Sequence, residues 1–331
     1  MEDRMRVLVT GGAGFIGTNL VLRLRELGHS VLIVDCLDET LYGEDVKRKN
    51  LARIFGGPVT ADFHVVDDLG WVDEDVCNLS SAQSSAAIWA RKGVDTVFHL
   101  AGLAGVRPSL VDPLRYSRTN VEGTVAVLEF AKNHDADVVF ASSSSIYGTL
   151  RSPFKESDRP TAMISPYAVT KRQCELLMDY YAQSTDRIRA SLRFFTVYGP
   201  HGRPDMFIRD TIGKVERGET ITLYGDGSSF RDYTYVDDIV DGILAAAGTP
   251  RKGHHIYNLG FGTPNTLSYT VELIGELVGK KPIIEHIGDQ EGDVPGTLAD
   301  IARAQFYFGY APKFHLLRGL TRTVEWMKEN R

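Results

Sequence analysis

Apolar and polar positions alternate along this chain in two periods. Val7-Leu8-Val9 is a short β-branched-rich run that stops at glycines. Phe15, Ile16, Leu20, Leu24 and Leu27 then recur at the spacing of one helix face, and Gly28 stands where a helix C-terminus favours glycine. The run 30–34, Ser-Val-Leu-Ile-Val, reads as a strand buried on both faces. Strand, helix and strand in this order form the unit from which parallel sheets are built.

The alternation continues. Residues 95–100, 137–140 and 189–194 read as further strands, and 113–131 and 166–182 carry helical periodicity. The pattern predicts an α/β protein with a Rossmann-type, doubly wound parallel sheet. Between 37 and 74 the periodicity is weak, which predicts an irregular excursion with one strand near 63–66. Beyond residue 195 glycine and proline cluster, at Gly199-Pro200, Gly202, Pro204 and Gly225-Asp226-Gly227. Helical patterns return at 235–247, 266–277 and 316–328. These features predict a first domain over 1–195, with an interleaved return segment at about 233–259, and a smaller C-terminal α/β substrate lobe formed mainly by 196–331.

Composition narrows the picture. With 331 residues, 43% hydrophobic and 24% charged, the chain reads as a soluble globular protein. Its net charge of −6 and the lack of a Lys/Arg stripe argue against nucleic-acid binding. No apolar stretch approaches the ~20 residues of a membrane span. Cys36, Cys77 and Cys174 are odd in number and lack metal-ligand spacing, so no metal site is expected; free thiols suit a cytoplasmic protein.

Chemistry enters at the first turn. Gly11, Gly14 and Gly17 lie between the first strand and the first helix. Gly11 suits a tight turn, Gly14 lets the backbone approach a pyrophosphate, and Gly17 permits close helix–strand packing; the helix N-terminus offers its N–H groups to the phosphates. Asp35 ends the second strand, where a carboxylate accepts ribose hydroxyls and repels a 2′-phosphate. Neither Cys36 nor Leu37 supplies a cation, so the expected cofactor is NAD rather than NADP.

Tyr167 and Lys171 form a Y-x-x-x-K pair. A helix beginning at Pro166 and capped by Ser165 would set both on one face, where the lysine, and a positive nicotinamide ring, would lower the phenol pKa. Such a pair can arise by chance. Upstream, however, Ser142-Ser143-Ser144-Ser145 follows an apolar strand directly, placing hydroxyls at a strand C-terminus where ligands bind in such sheets.

In order along the chain stand TGGAGFIG, HLAGLAGVR, SSSSIYG, SPYAVTK, LRFFTVYGP, FRDYTYVDD and GDVP. The chain resembles an extended short-chain dehydrogenase/reductase of the nucleotide-sugar epimerase/dehydratase group over essentially its whole length. The resemblance implies that Tyr167 is the catalytic base and acid, that Lys171 is its partner and binds the nicotinamide ribose, and that Ser143 bonds the sugar hydroxyl. It implies cofactor contacts at Gly11, Gly14, Phe15, Ile16, Gly17, Asp35, Asp75, Val76, Leu100, Ala101, Ala104 and Phe195, with Asn120 as a supporting polar residue. It also implies a homodimer built on the helices at 113–131 and 166–182.

Two positions discriminate among reactions. Sugar 4,6-dehydratases of this group carry Asp-Glu after the Ser143 equivalent, and the uronic-acid decarboxylases keep the Glu. Here stand Ser144 and Ser145, which cannot act as general acids near neutral pH. That leaves epimerisation at C4 through a 4-keto sugar. The stretch from Arg193 to Met206 closely resembles that of UDP-glucuronate 4-epimerases. By that resemblance Ser144, Ser145 and Thr196 would hold the uronic carboxylate, with Arg203 beside it; a surface loop cation is the lesser alternative for Arg203. Arg107 could face the sugar or diphosphate, or sit in a surface salt bridge. Arg231 matches a diphosphate-binding arginine, Tyr224 a contact near uracil, and Asp293 a ribose or loop-ordering contact. Gln290 and Glu291 stand where a basic residue is often found. The expected activity is conversion of UDP-glucuronate to UDP-galacturonate. UDP-glucose or UDP-N-acetylglucosamine 4-epimerisation is the alternative, with decarboxylation or a non-catalytic NAD sensor further off.

Overall fold

The computed structural model describes residues 4–66, 68–81, 83–160, 162–288 and 295–330. Its strands are β1 (Arg6–Thr10), β2 (Ser30–Asp35), β3 (Phe63–Val66), β4 (Leu69–Asp73), β5 (Thr96–His99), β6 (Asp137–Ser143), β7 (Ile188–Phe194), β8 (Thr196–Tyr198), β9 (Thr220–Tyr224), β10 (Phe230–Tyr235), β11 (Gly253–Leu259), β12 (Pro264–Thr266) and β13 (Ile283–Ile287). The main sheet has the order β11-β7-β6-β5-β1-β2-β4-β3, and every pairing is parallel except β3 with β4.

Side chains alternate across this sheet as strand geometry requires. Val7 and Val9 of β1 and Val31 and Ile33 of β2 pack on one side, against helices Phe15–Glu26 and Val236–Ala247. Leu8, Leu32 and Val34 pack on the other, against Gly123–Asn133 and Pro166–Ala182. The chain leaves the sheet after β7, builds part of a second lobe, and returns through Val236–Ala247 and β11. That lobe holds the three-stranded β12-β10-β8 and two-stranded β13-β9 sheets around Ile212, Leu223, Tyr233, Ile274 and Leu320. Among the described residues no helix is long and apolar enough to cross a membrane.

Two sequence expectations change. The excursion between 37 and 74 holds a regular helix, Glu44–Phe55, and β4, which pairs with β2 and extends the sheet. Half of that helix is charged and it buries Lys47 and Asn50 beside Leu51 and Ile54, so its apolar stripe is thin. The expected helix at 113–131 starts at Pro113 and runs to Asn133, but Ser117–Glu122 is wound as π-helix. Such wide turns cluster at functional sites, and this one carries the buried Asn120.

Candidate active site

The turn after β1 is a cradle that side chains would fill. Gly11 has φ +71°, and a Cβ there would lie 2.6 Å from the Ala101 nitrogen. A Cβ on Gly17 would lie 2.2 Å from the Gly11 carbonyl oxygen. Gly14 starts the helix Phe15–Glu26 with no side-chain cap and no acidic residue in the first turn, leaving a positive helix end facing the site. A cavity of about 320 Å³ opens over this turn. Gly11, Gly14, Phe15, Ile16, Gly17, Asp35, Asp75, Val76, Leu100, Ala101, Ala104 and Phe195 all line it, and so do Ser143, Tyr167, Lys171 and Arg203.

At the adenosine-side end expected from sequence, Asp35 accepts hydrogen bonds from the backbone N–H of Ala13 at 3.1 Å and of Leu37 at 2.9 Å. Lys47 Nζ lies 3.6 Å from the same carboxylate. Cys36 and Leu37 supply no cation beside Asp35, but the helix Glu44–Phe55 brings one from twelve positions further along. Asp75 caps the short turn Val76–Asn78 by accepting from Cys77 N–H at 3.0 Å.

The chemical end sits at the C-termini of β5 and β6. Ser165 accepts from Ala168 N–H at 3.1 Å, which starts the helix at Pro166. Tyr167 and Lys171 then share a face. Tyr167 stands beside Ser143 in the cavity wall, and Lys171 Nζ donates to the Ala141 carbonyl at 2.8 Å. Burial raises the Tyr167 pKa; the Ser143 hydrogen bond and then the Arg203 charge pull against that rise. The expected lowering of the phenol by Lys171 is not seen. Burial brings Lys171 itself down to about 8.

Asn120 does not line the cavity. Its amide accepts from Leu103 N–H at 2.8 Å and donates to Leu103 C=O at 3.0 Å and to Thr170 Oγ1 at 3.0 Å, so it holds the 100–104 loop from behind.

The substrate-side residues divide. Ser145 donates from its hydroxyl to Ser143 Oγ at 2.9 Å, and Ser144 is half-buried in the turn that follows β6. Thr196 and Arg203 share the wall of a small adjoining cavity of about 40 Å³ with Val197, Met206 and Tyr233. Arg203 is not a surface cation: its side chain is 14% exposed and it donates to Asp205 through Nε at 3.0 Å and Nη2 at 2.5 Å. Burial works against its charge, but Asp205 holds its pKa above the ordinary arginine value. Arg107 lies over the Tyr224 ring at 5.0 Å, which joins two residues chosen separately from sequence. Arg231 donates to the Phe230 carbonyl at 2.9 Å. Arg107, Tyr224 and Arg231 stand apart from the lining of the main cavity. Asp293, with Gln290 and Glu291, lies outside the described residues.

Sequence reasoning missed Lys47, Asp205 and Tyr42. Tyr42 lines the cavity, with Lys47 5.5 Å and Arg203 5.8 Å from its ring centre. The Arg-Pro-Asp run offered a signal for Asp205; nothing local marks Lys47 or Tyr42.

A doubly wound sheet with a glycine cradle at one strand end and a Ser-Tyr-Lys set at its neighbours defines a protein of the short-chain dehydrogenase/reductase type. Residues 7–260 match the NAD dependent epimerase/dehydratase family, and the chain belongs to that family. It is 36% identical over 325 residues to a UDP-glucuronate 4-epimerase of Thermodesulfobacterium geofontis, covering 98% of this chain and 96% of that protein. Its structure is similar to that of the Bacillus cereus UDP-glucuronic acid 4-epimerase in complex with UDP-glucuronic acid and NAD, with TM-score 0.88 and 29% identity over 99% of this chain and 100% of the other. MoeE5 in complex with UDP-glucuronic acid and NAD gives TM-score 0.83 at 35% identity, over 98% and 100% of the two chains.

Proposed function

We propose that this protein is an NAD-dependent UDP-sugar 4-epimerase whose substrate pair is UDP-glucuronate and UDP-galacturonate. The observation that carries this reading is the meeting of Tyr167, Ser143, Lys171 and Arg203 in one cavity continuous with the glycine cradle. NAD, when bound, supplies the acceptor and donor of the C4 hydride. The cradle fits it, because it leaves backbone N–H groups and a positive helix end where a diphosphate belongs.

In this reading Tyr167 takes the proton of the C4 hydroxyl and later returns it, and because the hydride removed from C4 is also given back, the enzyme needs no net oxidant. Ser143 holds that hydroxyl in line. Lys171 stabilises the phenolate and bonds the nicotinamide ribose. Ser144, Ser145 and Thr196 bind the uronic carboxylate as hydroxyl donors, and Arg203 adds a charge-assisted bond. Holding the carboxylate in the plane of the neighbouring ketone keeps its C–C bond away from the carbonyl π system and so discourages loss of CO₂. Arg107 and Arg231 serve the diphosphate, Tyr224 the base, and Asp293 the ribose. Residues 1–195 with about 233–259 form the NAD-binding domain, and 196–331 mainly the sugar-nucleotide lobe.

A second reading has one observation in its favour. Asp205 already offers Arg203 a carboxylate, which lowers the net positive charge available to a uronic acid and suits a neutral hexose. The test is incubation of purified protein with UDP-glucuronate and no added NAD, followed by NMR. UDP-galacturonate formed without CO₂ supports the first reading. No conversion, with UDP-glucose or UDP-N-acetylglucosamine epimerised instead, moves the assignment to the second.

We also propose a homodimer. Val111 and Leu114 are 87% and 82% exposed, and Val169, Leu176 and Tyr180 continue an apolar face along Pro166–Ala182. Covering such a face is a common reason for twofold pairing.

A further inference from the structure

Tyr167, Lys171 and Glu175 stand at successive i+4 positions on one helix and face three consecutive residues of β6, with Lys171 and Glu175 hydrogen-bonded to theirs. Tyr167 meets Ser143, Lys171 donates to the Ala141 carbonyl, and Glu175 accepts from Ser142 Oγ at 2.7 Å. Glu175 is 1% exposed. Its carboxylate also receives a fork from Arg193, Nε at 2.9 Å and Nη2 at 2.8 Å, and a bond from Arg172 at 2.9 Å. Arg193 is the register partner of Ser142 on β7, is itself buried, and lies 4.7 Å over the Tyr147 ring. One carboxylate thus ties the helix to the two strands that end at Ser143 and Phe194.

We propose that Glu175, held by Arg193, is a positioning residue for the reaction: it fixes the depth and register at which Tyr167 and Lys171 meet Ser143, and it keeps the charge of Lys171 in place. A buried ion pair is seldom favourable for stability alone, since two desolvated charges can be replaced by apolar side chains at little cost. Its position one turn beyond Lys171 gives it a use that stability does not. The titratable and charged groups around Lys171 are Tyr167, Cys174 and Glu175 on its own helix, with Arg172 behind Glu175. From β5 comes His99, from β7 Arg193, and across the cavity Arg203, which acts on Tyr167. Glu175 is the carboxylate among them. Burial lowers the Lys171 pKa, Cys174 and then Glu175 oppose that fall, and the Arg193 bond holds Glu175 ionised despite its own burial.

The test compares Glu175→Gln, and the double variant Glu175→Gln with Arg193→Met, against wild type. Two quantities are read: kcat per NAD-bearing site, and the titration midpoint of Lys171 followed by ¹³Cε NMR and assigned with Lys171→Arg. In Glu175→Gln, Arg193 and Arg172 remain cationic without their counter-charge. The Lys171 midpoint and the alkaline limb of kcat are expected to fall by about one pH unit, and kcat by about 10²-fold as the helix loses its register, with KM changed far less. In the double variant the paired charges are removed together. The midpoint is expected to return toward the wild-type value while kcat stays low. Should the single variant fail to fold, the double variant carries the test, because it buries no unpaired charge.

Wild-type kcat per NAD-bearing site in either folded variant, or an unmoved Lys171 midpoint in folded Glu175→Gln, overturns the proposal. The kcat arm rests on the epimerase reading and the NMR arm does not. A wild type that epimerises no UDP-sugar overturns that reading while Lys171 still reports on the pair.

Discussion

Asp205 engages Arg203 along one edge of the guanidinium, Nε to Oδ1 and Nη2 to Oδ2, and Arg203 lines the cavity that Tyr167 also lines. A planar donor set pinned on one edge is pre-oriented for a second carboxylate on another. Arg203→Ala should therefore lower kcat/KM for UDP-glucuronate by about tenfold or more, on the scale of one lost charge-assisted bond, and lower it much less for UDP-glucose. Paired steady-state assays on the two substrates decide this; equal losses would remove the carboxylate role.

Tyr167→Phe keeps the ring and its packing beside Tyr116, whose centroid is 6.2 Å away, and removes the phenol to which the proposed mechanism assigns exchange of the C4 proton. Turnover should fall by about 10²-fold or more, while NAD remains bound at wild-type stoichiometry. Near wild-type activity would take Tyr167 out of its role.

The glycine cradle tolerates no side chain at residue 17. Gly17→Ala would set its Cβ 2.2 Å from the Gly11 carbonyl oxygen, so the turn must shift. The protein should purify with little NAD or fail to fold, read as cofactor per chain after acid release. Full occupancy would show that the turn has room to relax and that cofactor binding does not depend on it.

His99 is buried between Thr10 Oγ1 at 2.8 Å and Thr124 Oγ1 at 3.0 Å, and burial, with the nearby Lys171 charge, lowers its pKa from 6.5 to about 3. The folded protein holds it neutral and the unfolded chain lets it protonate. Its contribution is thus complete above pH 6.5 and is lost as pH falls toward 3, at about 1.4 kcal/mol per pH unit. Urea denaturation from pH 7 to pH 4.5 should show falling stability, and His99→Asn should flatten that slope. An identical slope in the variant would assign the acid loss to other groups.

The parallel sheet, its glycine turn and the Ser-Tyr-Lys set were legible in the sequence because each is local. Val7–Val9, Gly11, Gly14, Gly17 and the i, i+4 pair of Tyr167 and Lys171 state their geometry within a few residues. What stayed hidden depends on distant packing. The helix Glu44–Phe55 is buried along a stripe that includes a lysine and an asparagine, so its hydrophobic pattern is faint, and with it went Lys47 at Asp35. Glu175 reads as an ordinary helix glutamate until β6 and β7 bring Ser142 and Arg193 to it. Asn120 was legible as a polar residue near the cofactor, but its inward turn depends on the π-wound segment.

The central claim is that C4 is oxidised and reduced within one protein-bound cycle. The direct measurement uses UDP-glucuronate deuterated at C4, purified protein and no added NAD, with the product examined by NMR and mass spectrometry. The account predicts UDP-galacturonate that retains deuterium at C4 on the inverted centre, with none released to water. Label lost to solvent, or inversion that proceeds equally well in protein stripped of NAD, would contradict it.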